Sequence, residues 1–358
     1  MLPGHGNSAA APARSRSARI MVLVAGAIVL GAGFWLFRYL SSELTRPGPL
    51  AEEMLLDVPA GASRRQVLML LERCGAVSDA RAAELALRAA GQDPVFKAGR
   101  YRLPARASLQ QLVRLLASGQ VELASLTIPE GWTFAEARAA IERHPAIDAS
   151  FRGTTDAAVM QALGAPQLPP EGRFFPDTYR FAAGTRDLQI YRQAFTRMQE
   201  LLDAAWEARA ADLPIANKDQ ALVLASIIEK ESAVPDERPQ IAAVFVNRLR
   251  QGMRLQSDPT VIYGLGSAYD GNIRTVDLRT DTVYNTYTRN GLPPTPIALP
   301  GAGAIAAALR PAASDALFFV ATGRGDGRHV FNKDYAAHER AVADMLRSQR
   351  QAARSAGR

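Results

Sequence analysis

The chain has 358 residues, 48% of them apolar and 22% charged, with a net charge of +7; this suits two folded domains with a terminal appendage and excludes a disordered chain. The surplus charge sits at the ends. Arg14, Arg16, Arg19, Arg38 and Arg46 face only Glu43 near the start, and Arg347, Arg350, Arg354 and Arg358 close the tail, so the body between is nearly neutral and offers no basic groove for nucleic acid. Cys74 is the single cysteine, which removes internal disulfides and cysteine-based metal cages, and four histidines without a His-Glu-x-x-His pattern argue against zinc chemistry. No metal and no cofactor is expected. Cys74 reads as a small core residue, and His329 and His338 as surface or strand residues.

Ile20 to Phe37 is an eighteen-residue run without a charge, about 27 Å long as a helix and just able to span a bilayer core. The arginines before it keep residues 1–19 in the cytoplasm and place everything after Arg38 on the far side, with Trp35 and Tyr39 at the exit interface. A cleaved signal peptide shares the basic start, but this run is long and Arg38-Tyr39-Leu40-Ser41-Ser42 offers no small-x-small cleavage site. The expectation is an uncleaved single-pass anchor over 20–40 in the cell inner (cytoplasmic) membrane. The body would then lie in the periplasm, beside the cell wall.

Residues 41–53, with Pro47 and Pro49, read as a linker. A small module over 54–121 follows: a strand at Leu55 to Pro59, a helix capped by Ser63 running to Cys74, a helix from Asp79 to Ala90, a strand from Ala98 to Leu103, and a helix from Ser108 to Ser118. The larger region, 122–346, opens with a strand from Glu122 to Ile128 and a helix through His144. It continues through an aromatic loop at Gly172 to Tyr179 and a long helix from Leu188 to Arg209. A helix starting at Asn217 comes next, then one capped by Asp236 with Ile241, Val244, Phe245 and Leu249 as its core stripe, and finally a hairpin around Gly323 to Gly327. Residues 347–358 form a basic tail. Strands and helices segregated in this way give an α+β fold with no internal repeat.

One residue breaks the apolar pattern. In the Asn217 helix, where Asn217 and Gln220 have the spacing of a capping box, Leu224, Ile227 and Ile228 sit at i, i+3 and i+4, and Glu231 extends that stripe at i+7. Glu231 therefore points inward, while Glu229 projects to the opposite side and Pro235 ends the helix within a turn. Desolvation and the negative end of the helix dipole both favour a protonated carboxyl there, which is what a general acid needs at neutral pH. The plain alternative is a structural ion pair between Glu231 and Arg238 or Arg248.

Other patterns carry less. Gly301-Ala302-Gly303-Ala304-Ile305-Ala306 follows a proline rather than a strand, so it reads as a loop entering a helix and not as a dinucleotide fingerprint. The Gly323 to Gly327 stretch lacks the Lys-Ser/Thr of a phosphate loop and reads as a turn. Ser232 has no strand-to-helix elbow around it; support of Glu231 by hydrogen bonding suits it better than nucleophilic attack.

Glu231-Ser232, Asn247-Arg248-Leu249, Met253 to Thr260, Tyr284-Asn285-Thr286-Tyr287, Gly291 to Pro294 and Pro296-Ile297 together resemble the YceG-like endolytic murein transglycosylases. The resemblance runs from about Met54 to Met345 and includes the N-terminal anchor. It implies a LysM-like module followed by a catalytic domain with its glutamate on a buried helix, and it places the catalytic glutamate, the second of Glu-Lys-Glu, at Glu231. The implied reaction is endolytic cleavage of MurNAc–GlcNAc bonds within nascent peptidoglycan glycan strands, leaving 1,6-anhydro-MurNAc ends. Peptidoglycan synthases are the implied protein partners. Ser232, Gln256, Asp258, Tyr284, Asn285 and Tyr287 are the substrate-binding candidates; Asp258 before Pro259 could equally be a turn former or helix cap. Two rivals stand beside this reading: a muramidase using Glu231 with Asp258 as base, and a non-catalytic, membrane-anchored peptidoglycan-binding scaffold.

Overall fold

The structure is a computed structural model that describes residues 14–356, apart from 60 and 233. Most of the expected cytoplasmic segment 1–19 thus lies outside the described residues. The chain divides into two compact units, Met1–Leu123 and Ala124–Arg358.

The first unit begins with α1 (Arg14–Thr45). Met21, Val22, Leu23, Val24, Ile28, Leu30, Phe34 and Trp35 are all exposed along it. Several side chains within the charge-free run, at 20, 29, 36 and 37, lie outside the described set; among the described residues no helix is long and apolar enough to cross a membrane. The helix also runs further than the sequence suggested. It continues to Thr45, and Leu44 is buried in the core of the module that follows, so the first part of the expected linker is helical and packed.

That module is β1 (Met54–Val58), α2 (Arg64–Arg73), α3 (Ala80–Ala89), β2 (Gly99–Leu103) and α4 (Leu109–Ser118). Ser63 and Ser108 close reciprocal capping boxes with Gln66 and Gln111, and Asp79 accepts from the amides of Arg81 and Ala82. Such caps fix where each helix starts and contribute about 1 kcal/mol apiece. β1 and β2 pair antiparallel from Met54 opposite Leu103 to Val58 opposite Gly99. The core under this ribbon contains Val67, Leu68, Leu71, Leu87, Tyr101, Leu103, Leu112 and Leu116, all fully buried. Cys74 is half-buried against the same core, its thiol directed to the Leu71 carbonyl.

The second unit holds two apolar clusters. The first is built from β3 (Leu123–Thr127), α5 (Phe134–Arg143), β4 (Ile147–Asp148), α6 (Asp156–Ala162), β5 (Thr178–Ala182), β6 (Thr185–Arg186) and α7 (Asp187–Glu207). β3 pairs with β5, and β4 pairs in parallel with β6. Phe134, Phe174, Tyr191 and Phe195 form the aromatic centre, with Phe134 and Phe174 stacked at 4.8 Å. The sequence signals no element over α6, and Thr178 and Tyr179, expected in the aromatic loop, begin β5.

The second cluster surrounds α8 (Lys218–Glu231). Every residue from Ala221 to Ile228 is buried, so this helix is covered on all sides rather than along one stripe. It packs against α7, α9 (Arg238–Arg250), α10 (Asp258–Leu265) and α12 (Ala302–Leu309). Burying each of its Leu and Ile side chains contributes about 1.5–3 kcal/mol, enough to hold a carboxylate in an otherwise apolar setting. Two helix starts differ from the sequence expectation. Asn217 caps α8 by accepting from the Gln220 amide, but the Gln220 side chain accepts from Ala216 rather than closing a box. Asp236 lies in a 3-10 turn over Pro235–Glu237 and caps nothing; α9 follows without a side-chain cap.

The chain then passes through α11 (Thr275–Arg279) to α12, forms the expected hairpin of β7 (Phe318–Ala321) and β8 (His329–Asn332), and ends in α13 (Tyr335–Ala356). α13 packs against both hairpin strands. The segment expected as a basic tail from 347 is therefore the second half of a helix.

Candidate active site

Glu231 is the last residue of α8, and Ser232 is its C-cap. Ending the helix there leaves the carboxyl group at the negative end of the helix dipole. Its Oε1 accepts from Ser257 Oγ at 2.6 Å, and its Oε2 has no hydrogen-bond partner among the described residues. It has no ion-pair partner among them either. Arg238 is 2.7 Å from Glu229, whose side chain is only 5% exposed and whose Oε2 accepts from the Gly301 amide at 2.9 Å. A Cβ on Gly301 would meet the end of the exposed Glu130 side chain at 1.8 Å, so a larger residue there would have to push that carboxylate aside. Two positions apart on one helix, Glu229 is the paired carboxylate and Glu231 the unpaired one.

Burial pushes the Glu231 carboxyl up to about 7; the charge of Asp258 adds to this, while the Ser257 hydrogen bond and the charge of Arg248 oppose it. A second carboxyl behaves similarly: burial also raises Glu171 to about 7. Glu171, however, uses both oxygens on protein donors, the Phe134 amide at 3.0 Å and the Tyr263 hydroxyl at 3.1 Å. It ties α5 to α10, whereas Glu231 keeps one oxygen toward open space.

That space is a cleft of about 330 Å³ lined by Glu231, Arg248, Leu255, Gln256, Asp258, Tyr287, Phe319 and His338. Gln256 has φ of +51°, a conformation costing a non-glycine residue about 1 kcal/mol, and is held in it by its amide donating to the Thr286 carbonyl and by Arg248. Arg248 spans the cleft wall. Its Nε donates to Leu317 O at 2.7 Å, and its Nη1 to Leu255 O at 2.8 Å and to Gln256 Oε1 at 3.3 Å. Asp258 begins α10, with Pro259 behind it, and its Oδ1 accepts from Tyr287 Oη at 2.5 Å. Burial and Asp258 both raise the Tyr287 hydroxyl, which stays protonated as the donor of this pair.

Of the residues expected to form the site, the structure brings Glu231, Gln256, Asp258 and Tyr287 into one cleft and leaves three outside its lining. Ser232 is turned to the backbone, its hydroxyl donating to the Val234 carbonyl and accepting from the Val234 amide. The hydrogen bond to Glu231 comes instead from Ser257. Asn285 is buried, donates to the carbonyls of Asp277, Leu278 and Thr280, and accepts from the Tyr287 amide, so it shapes the loop that presents Tyr287. Tyr284 bonds to Thr295 and packs edge-on against Tyr263.

Three cleft residues and one behind the cleft carry no separate signal in the sequence. Phe319 reads as a plain strand residue, His338 as a surface or strand residue and Arg248 as an ion-pair partner, while Ser257, which holds Glu231, occupies a helix-cap position but makes no cap bond. Among the described residues no group of three or more His, Cys, Asp or Glu side chains is placed to hold a metal ion.

Similarity to known proteins follows the same ground. The YceG-like family profile matches residues 56–344. An endolytic murein transglycosylase of Bacillus subtilis (strain 168) is 28% identical over 310 residues, covering 82% of this chain and 85% of the relative. One from Streptococcus pneumoniae serotype 2 is 26% identical over 367 residues, covering 92% of this chain and 65% of that longer relative. The crystal structure of a yceG-like protein from Listeria monocytogenes is 28% identical and covers 81% of this chain and 99% of that one, with a TM-score of 0.49. Because the family match spans the small module and all the segments that build the Glu231 cleft, this chain belongs to the YceG-like family.

Proposed function

We propose that this chain is an endolytic murein transglycosylase that cuts MurNAc–GlcNAc bonds within peptidoglycan glycan strands and leaves 1,6-anhydro-MurNAc ends. The observation that carries the reading is Glu231: a carboxyl group raised to about 7, without an ion-pair partner among the described residues, facing a cleft with one oxygen unspent. Protonated Glu231 gives its proton to the glycosidic oxygen as the C1–O bond breaks through an oxocarbenium-like state. The resulting carboxylate takes the proton of the muramic acid's own C6 hydroxyl as that oxygen closes onto C1. Water is not consumed, and the tethered hydroxyl takes the place of a second catalytic carboxylate. Gln256, Asp258 and Tyr287 bind the sugar in the cleft, while Ser232, Tyr284 and Asn285 support the surrounding loops.

Residues 54–121 act as a LysM-like module that holds glycan, 122–346 as the catalytic domain, and 20–40 as a single-pass anchor with the N-terminus in the cytoplasm. Support for the anchor comes from the charge-free run from Ile20 to Phe37, the arginines before it and the exposed apolar side chains of α1. The catalytic domain then works in the periplasm on nascent strands, where peptidoglycan synthases are its natural partners.

A muramidase is the second reading, favoured by one observation: Asp258 shares the cleft and could act as base toward water. Glu231→Gln tests the common element, since it keeps the shape and removes the proton. Loss of cleavage with glycan binding retained supports Glu231 as the acid; retained cleavage moves the chemistry to Asp258 or Glu229.

A further inference from the structure

The cleft wall contributed by the C-terminal helix holds a polar group that the mechanism above does not use. We propose that His338 is a glycan-contacting residue of the Glu231 cleft, donating its Nε2–H to an acetamido or hydroxyl oxygen of the bound strand.

The geometry fixes the ring and leaves its nitrogens unspent. His338 stacks on Phe318 with ring centroids 5.2 Å apart and planes 23° apart, and Tyr335 meets the same Phe318 ring edge-on at 5.8 Å. The Arg248 guanidinium also lies over Phe318, at 5.2 Å. The imidazole is thus held by packing, yet neither ring nitrogen has a hydrogen-bond partner among the described residues, and Nδ1 is enclosed without one. Burial and the charge of Arg248 push the imidazole down from its ordinary value, so it is neutral at neutral pH and carries one N–H. A proton on enclosed Nδ1 would be a buried donor with no acceptor, the costlier arrangement, which assigns the proton to Nε2.

The ring lines the same cleft as Glu231, Gln256, Asp258 and Tyr287. An Nε2–H there, with no protein acceptor among the described residues, is matched by what a glycan strand offers at every sugar, hydroxyl and acetamido oxygens. α13 is thereby part of the binding site rather than a solvated tail, and this inference rests on the glycan-cleaving reading of Glu231.

The test uses the full-length protein in detergent with Glu231→Gln to stop turnover, and soluble uncrosslinked peptidoglycan glycan strands as the probe in calorimetric titrations. His338→Phe preserves the stacked ring and removes the nitrogens; affinity is expected to fall about five- to ten-fold, the effect of one lost hydrogen bond, with an unchanged melting temperature. His338→Gln retains a donor and is expected to recover most of the affinity. Equal affinity with and without His338→Phe overturns the inference alone. A loss shared equally by both variants and accompanied by lowered melting temperature also overturns it, by making the role structural. Absence of any glycan binding by the Glu231→Gln protein overturns the reading beneath it as well.

Discussion

Replacing Glu231 by glutamine keeps the side chain's shape and its acceptor for Ser257 while removing the ability to ionise. The carboxyl of the folded protein is raised to about 7 against an ordinary 4.5. Below pH 4.5 both the folded and the unfolded chain hold the proton, and Glu231 costs the fold nothing. Between 4.5 and 7 the unfolded chain ionises while the folded one does not, so stability is lost as pH rises; above 7 the folded protein carries the full penalty. That penalty is about 3 kcal/mol as an upper figure. Glu231→Gln is therefore expected to match the wild type at pH 4.5 and to exceed it at pH 8, raising the melting temperature of the second unit by at most about 6–12 °C. Thermal melts of both proteins across this range measure the difference directly. A variant less stable than wild type at pH 8, or a difference that does not vary with pH, would refute the account, since an ion-paired structural glutamate behaves in that way.

Three further expectations concern neighbouring groups. Cleavage should decline as pH rises through about 7, because the acid must be protonated in the free enzyme; Ser257→Ala, which removes a hydrogen bond that lowers Glu231, should move this decline upward, and a flat profile of kcat/KM against pH would contradict both. Glu229→Gln leaves Arg238 with only the exposed Glu130 and should cost about 3 kcal/mol of stability while cleavage per folded molecule stays within a few-fold, as denaturant melts and initial rates will show. Asn285→Ala frees three carbonyls and the Tyr287 amide, and should cost about 2 kcal/mol and raise KM by disordering the loop that presents Tyr287; unchanged stability would place Asn285 in a different role.

The first half of the fold was legible because its signals are local. Ser63, Asp79, Ser108 and Asn217 mark helix starts within a residue of where they fall, since a cap needs only its own first turn. Glu231 was legible for a related reason: a carboxylate at i+7 of an apolar run stands out whatever surrounds it. The partners of Glu231 were not. Ser257 reaches it across twenty-six positions while looking like a helix cap, and Asn285 is bound to carbonyls of its own loop, a pattern no period reveals. α13 could have been found. His338, Ala341, Val342, Met345 and Ser348 are half-buried at helical spacing on one face, but the arginines between them gave the segment the look of a tail. Pro47 and Pro49 likewise give residues 41–53 the composition of a linker, although the helix runs to Thr45 and Leu44 packs into the module core.

The central claim is that one residue serves as acid and then base, with the substrate's own hydroxyl as nucleophile. Mass spectrometry of the products formed from uncrosslinked glycan strands tests it most directly. The account predicts strands cut internally and ending in 1,6-anhydro-MurNAc, without uptake of oxygen from labelled water. Reducing MurNAc ends carrying that oxygen would contradict it and make the enzyme a hydrolase.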